Sequence, residues 1–158
     1  MAGTFRCAIL AASFAATLPS MAAAQERPTT TFTISEYRWY QLQRGTTSSG
    51  APVFQAFANV RRLADNRIRY YALMFSPELT RVLALEVEVD CGTNTMRLIA
   101  GGGASGGIGA LYARDEQHAP TAEGTTGRLI VRTVCDRRDW PVLDDPVSAG
   151  RAWIAQRD

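Results

Sequence analysis

The sequence predicts an α+β fold: a mostly antiparallel β-sheet of about six strands, a short carboxyl-terminal helix and one disulfide. Three observations predict it. Segment 81–91, RVLALEVEVDC, alternates strictly, with Leu83, Leu85, Val87, Val89 and Cys91 on one parity and Ala84, Glu86, Glu88 and Asp90 on the other, the period of a half-buried strand. Further extended segments follow one another through turn residues with no helical pattern between them, and strands so connected pair antiparallel. Near the end, Asp144-Asp145-Pro146 puts N-cap residues directly before a proline suited to the first helical position.

Before any of these elements, residues 1–24 carry an early Arg6, an apolar run from Cys7 to Leu18, Pro19, and Met21-Ala22-Ala23-Ala24. This is the pattern of an export signal, with cleavage expected after Ala24. The run is shorter than the ~20 residues a spanning helix requires. The mature chain is therefore expected to lack a membrane span and to work in the periplasm or at the cell surface. Cys7 lacks the small and aliphatic neighbours of a lipoprotein box.

Residues 25–31, QERPTTT, read as a flexible leader, and 32–158 as a single domain, of the usual size for one core. Segment 32–42, FTISEYRWYQL, is aromatic and β-branched, and its apolar parity changes between Trp39 and Tyr40, which suggests a bulged strand. RGTTSSGAP at 44–52 is loop by composition, and VFQAFANV at 53–60 is extended again. RRLADN at 61–66 is either one helical turn or a hairpin through Asp65-Asn66. RIRYYALMFS at 67–76 is a strand closed by Pro77. After 81–91, Gly92-Thr93-Asn94 turns the chain into TMRLIA at 95–100, and the glycine stretch 101–109 reads as a surface loop. RLIVRTVC at 128–135 alternates Leu129, Val131, Thr133 and Cys135 against Arg128 and Arg132, which predicts a strand. The terminal helix carries Val147, Ala149, Trp153 and Ile154 as its apolar stripe, weakened by Gly150, with Trp153 packing on the sheet.

Composition excludes several chemistries. The chain has one His, three Cys of which one lies in the signal, and Arg but no Lys among its basic residues. Histidine-built zinc sites, lysine Schiff bases and Cys-rich scaffolds are thus set aside, and no metal is expected. The net charge is only +2, with Arg interleaved among acids, so a nucleic-acid partner is not expected either. In an oxidising compartment the remaining pair, Cys91 and Cys135, reads as a disulfide, and both cysteines fall on the apolar parity of their segments.

Two glycine-stretch motifs carry little. Gly101, Gly103 and Gly106 satisfy GxGxxG, but the βαβ unit and distant acid of a dinucleotide site have no room, so no cofactor is expected. Gly103 to Gly107 fits GxSxG around Ser105, with His118 as base and Asp115 or Glu116 as acid, which defines an alternative reading as a small secreted serine hydrolase. The leading expectation is no catalytic residue. Glu86, Glu88 and Asp90 are expected on the solvated face of their strand, paired with Arg67, Arg69, Arg97 or Arg132. Trp140 beside Arg137 and Arg138 is the candidate recognition patch.

Taken together, FANVRRLADNRIRYYALMFS, RVLALEVEVDCGTNTMRLIA, a variable glycine-containing loop and the closing RLIVRTVC resemble the surface-adhesin protein E-like family over about residues 37–140. The resemblance implies an antiparallel sheet with a carboxyl-terminal helix, a Cys91–Cys135 bridge, no catalysis, and a protein partner such as a host extracellular-matrix protein. No ligand-binding residue transfers. A periplasmic inhibitor or assembly partner pairing through an exposed strand edge is the other binding alternative.

Overall fold

The computed structural model describes residues 27–46, 50–114, 116–136 and 139–156. The expected signal 1–24, Asp115, Arg137 and Arg138 lie outside the described residues. Nine strands are described: β1 (Thr30–Thr33), β2 (Trp39–Thr46), β3 (Pro52–Arg62), β4 (Arg67–Phe75), β5 (Val82–Asp90), β6 (Thr95–Ser105), β7 (Ile108–Ala113), β8 (Ala119–Pro120) and β9 (Val142–Leu143). Two helices, α1 (Thr126–Asp136) and α2 (Pro146–Ala155), complete the chain. All strand pairs are antiparallel, in the order β1-β7-β6-β5-β4-β3-β2-β9, with β8 beside β6. The expected α+β architecture with its terminal helix is what forms; β2 to β6 match five of the expected strands, and β1, β7, β8 and β9 are additional.

Turn chemistry fixes the register at the centre. Asp65 and Asn66 have φ of 59° and 60°, the two left-handed residues of a type I′ hairpin, which settles the choice between helical turn and hairpin. Asn94 (φ 55°) closes the β5–β6 turn. The predicted bulge falls at Leu42, between the register positions of Gln41 and Gln43.

The sheet curls. Phe32 sits on edge strand β1, four strands from β4, yet its ring stacks on Tyr71 at 4.6 Å and lies 6.3 Å from Trp39 on β2. Flat strands at ~4.8 Å spacing would hold β1 and β4 roughly 19 Å apart. Small residues make the curl sterically open: Ala56, Ala84 and Gly102 share one cross-strand row with Leu73 and Leu111, and Ala58 and Ala100 flank Tyr71 and Glu86 in the next. On the concave face, Phe32, Ile34, Trp39, Phe54, Leu73, Phe75 and Leu111 form one core, onto which α2 packs Val147, Ala149, Trp153 and Ile154. On the convex face, Leu42, Phe57, Ile68, Tyr70, Val87 and Val89 form a second core beneath Ile130, Val131 and Val134 of α1.

Four expectations are corrected. Segment 128–135 is the body of α1, not a strand: Ile130, Val131 and Val134 are buried at helical spacing, while Leu129 is 52% exposed. Its β-branched residues favour a strand, but Thr125 Oγ accepts from Arg128 N–H at 3.3 Å, a start signal that alternation obscures, and the second core needs a cover. The disulfide accordingly joins the end of β5 to the last turn of α1, with Cα atoms 5.7 Å apart, instead of two strands. The glycine stretch is the end of β6, a Gly106-Gly107 turn and the start of β7, not a loop. The end of the leader is ordered, since Thr29 N–H donates to Leu111 O at 2.8 Å and Thr30 and Thr31 pair with β7.

Helix α2 starts as its sequence predicts, with Asp145 as N-cap accepting from Val147 and Ser148 N–H and Pro146 following it. The Ser148 hydroxyl and these N–H groups hold the Asp145 carboxyl below its usual range. Gly150 earns its place by contact. A Cβ built there would lie about 2.5 Å from the Phe75 ring. Alanine gains ~1 kcal/mol of helix propensity but must push that ring aside at ~1–3 kcal/mol, so Gly150→Ala is expected to lower the melting temperature by a few degrees. A raised melting temperature would show that Phe75 has room to move.

Candidate functional site

Two surfaces gather chemistry-bearing side chains. The first lies at the end of the concave face away from α2. Register places Arg61 of β3, Arg69 of β4, Glu88 of β5 and Arg97 of β6 side by side in one row across four strands. Glu88 has no exposed surface, and three arginines converge on it. Arg69 donates from Nη2 (2.6 Å) and Nε (3.2 Å) to Oε2. Arg97 reaches Oε1 through Nη2 (2.9 Å) and Nε (3.1 Å), and Arg67 through Nη1 (3.4 Å). His118 Nε2 also lies 3.1 Å from Oε1, and its Nδ1 is 3.0 Å from the Thr95 hydroxyl.

Burial pushes the Glu88 carboxyl up, but the hydrogen bonds from Arg69 and His118 and the charges of Arg97 and Arg69 outweigh it and hold the group down at about 2. Arg61 pairs instead with Glu86 at 2.7 Å. Behind this row, burial first and then the Glu86 charge raise the Tyr71 phenol, keeping it neutral. The expected pairing of the acidic row with Arg67, Arg69 and Arg97 therefore forms. The expected solvated face does not, because Arg67 and Arg69 of β4 and Arg97 of β6 close over Glu88, and Arg61 reaches Glu86 from β3, two strands away. Arg132 takes no part and is exposed on α1.

The second surface contains Trp140. Its Nε1 donates to Thr133 O at 2.9 Å, and its ring meets Phe57 and Tyr40 edge-on at 4.9 and 5.6 Å. Trp140 also lines a surface pocket of about 510 Å³ with Glu36, Tyr37, Arg38, Tyr40, Asn59, Val60 and Arg62. Arg38 lies over the Tyr40 ring at 5.8 Å. Sequence nominated Trp140 through its neighbours in the chain. Its spatial neighbours come from β2, β3 and residues 36–38 that lead from the 3-10 turn at Ile34–Glu36 into β2, where only strand pairing could have revealed them.

The hydrolase constellation is not assembled. Ser105 ends β6 at the β7 hairpin, whereas His118 bonds Thr95 at the opposite end of the same strand. Ten residues of strand separate them by roughly 33 Å. Ser105 instead lines a groove of about 620 Å³ between the β6–β7 hairpin and the start of α2, beside Arg151 and Asp145. Among the described residues no group of three His, Cys, Asp or Glu side chains is arranged to hold a metal ion, and no helix is long and apolar enough to cross a membrane. Compared with known proteins, the chain matches no family model, no curated protein and no solved structure.

Proposed function

We propose that this chain is an exported, non-enzymatic protein-binding domain of the adhesin-like kind, released from its signal after Ala24 and engaging a protein partner through the pocket around Trp140. One observation carries the reading: that pocket brings Trp140, Tyr37 and Tyr40 together with Arg38 and Arg62 on one surface. Trp, Tyr and Arg are the residue types that dominate binding energy at protein interfaces, since each offers a large, stiff contact area together with polar donors. Arg38 and Arg62 are exposed, so they can meet a partner's carboxylates.

The test is surface plasmon resonance of the mature chain against a panel of host extracellular-matrix proteins. Binding to at least one is expected, weakened about tenfold or more in an Arg38→Glu, Arg62→Glu variant that melts like wild type. Equal binding by that variant sinks the pocket as the interface. No binding to any of them removes the matrix reading.

A second reading has its own observation. Strand β9 pairs with β2 only at Trp39 and Tyr40, which leaves residues 43–46 of β2 without a strand on that side among the described elements. An assembly partner or an inhibited enzyme could add a strand there. Protease treatment of intact against lysed cells separates the two readings. Digestion only after lysis favours the strand-edge partner, and digestion on intact cells favours adhesion.

A further inference from the structure

We propose that the groove between the β4–β5 connection, the β6–β7 hairpin and the last turn of α2 binds a free straight-chain carboxylate of about the size of decanoate, at a site separate from the Trp140 pocket. The shape comes from an incomplete cover. Helix α2 rests mainly on β2, β3 and β4, so the start of β5 and the end of β6 form a floor that it leaves open. The groove has a volume of about 740 Å³, within the range of small-molecule sites. Leu79, Val82, Ala104 and Ile154 line it and are only half-buried, which leaves apolar surface in contact with water. A hydrocarbon tail laid along that surface removes both from water, which is favourable in proportion to the area covered.

Charge fixes the group that the tail carries. Arg81 and Arg151 are the charged side chains among the described residues that line the groove, and both are exposed. No ion pair among the described residues involves either of them, whereas Arg61, Arg67, Arg69 and Arg97 are taken up by Glu86 and Glu88. Arg81 has its place because Gly103 lacks a side chain: a Cβ there would lie 3.1 Å from Arg81 Cδ and 3.3 Å from its Nε. Asp144 and Asp145 line the adjoining groove instead, which shares Ser105 and Arg151 with this one. Asp145 accepts from the Ser148 hydroxyl and from the Val147 and Ser148 N–H groups, and Arg151 contributes least to its stabilisation. Both guanidinium groups therefore keep N–H donors for a carboxylate.

The occupant is a small molecule and not a peptide. Strands β5, β6 and β7 each have a strand partner on both sides, so the groove holds no free strand edge for a main chain to pair with.

Isothermal titration of the mature chain with octanoate, decanoate and dodecanoate as free monomers tests this, with acetate and 1-decanol as comparison probes. Expected are saturable binding of decanoate, a several-fold gain in affinity for each two carbons added across the series, weaker binding of 1-decanol, and none of acetate. Arg151→Gln should weaken decanoate about tenfold and leave 1-decanol unchanged, and Arg81→Gln should act in the same way by several-fold. A groove that had lost its shape would lose acid and alcohol together, so the alcohol separates missing charge from missing structure. The proposal falls if decanoate does not bind, if chain length has no effect, if acetate binds as well, if 1-decanol binds wild type as tightly as decanoate, or if either substitution weakens the alcohol as much as the acid. Binding to phosphatidylglycerol vesicles with none of the free acid would also overturn it, in favour of a membrane-surface contact.

Discussion

Glu88→Gln is expected to lower the folding stability of the mature chain by about 3 kcal/mol at neutral pH. Removing one partner of a buried ionic contact typically costs ~3–5 kcal/mol, because the remaining charge is stranded. Here the stranded charges are Arg67, Arg69 and Arg97, all partly open to water, which places the cost at the lower end of that range. The pH dependence follows from the same contacts. Glu88 takes up its proton near 4.5 in the unfolded chain but at about 2 in the folded one, so between those values the unfolded state holds more protons. Stability contributed by Glu88 is therefore complete above about pH 5 and is lost as pH falls through about 2, with a total of roughly 3 kcal/mol. The measurement is a series of urea melts of wild type and Glu88→Gln from pH 7 to pH 2. The two stabilities should converge across the acid limb. A gap that stays constant with pH would mean that packing, not charge, sets the cost of the substitution.

The same residue shows where sequence stops informing. Alternation over 81–91 identified β5 and placed Glu86, Glu88 and Asp90 on one face, because the two-residue period of a strand is a local property. Whether that face is wet depends on the neighbours across the sheet. The type I′ turn at Asp65-Asn66 sets the β3–β4 register and so puts Arg61 beside Arg69, and the small residues Ala56, Ala84, Ala100 and Gly102 let four strands curl over the acids. No single segment carries that information. For the same reason Trp140 was legible as an aromatic beside Arg137 and Arg138, while Tyr37, Tyr40, Arg38 and Arg62 were not legible as its companions.

Helix α1 failed for a different cause. Its Ile, Val and Thr content matches strand propensity, and Leu129, Val131, Thr133 and Cys135 share a parity opposite Arg128 and Arg132, so both local signals point one way and tertiary structure overrides them. The residues that belong inside at helical spacing, Ile130, Val131 and Val134, were present in the sequence, but an eleven-residue segment gives that pattern little chance to outweigh the alternation. The terminal helix α2 was legible because its start is written in side chains that act locally: Asp145 as cap and Pro146 at the first position.

Loss of the Cys91–Cys135 bridge is expected to be the larger destabilisation, about 4 kcal/mol, or roughly 15 °C in melting temperature. The bridge closes a loop with a sequence separation of 44, and on the chain-entropy account a loop of that length restricts the unfolded ensemble by about this amount. The effect should also be local. Helix α1 has eleven residues, too few to persist alone, and is held to the convex face by Ile130, Val131, Val134, the Trp140 hydrogen bond to Thr133 O, and the disulfide at its last turn. Strands β4 and β5 are each paired along their length on both sides and do not rely on it. In a Cys91→Ser, Cys135→Ser chain, amide hydrogen exchange in α1 should therefore accelerate far more than exchange in β4 and β5, alongside the fall in melting temperature. An even rise across helix and sheet would show that the bridge acts only on the unfolded chain. An unchanged melting temperature would show that packing alone pins α1, and that the second core needs no covalent clasp.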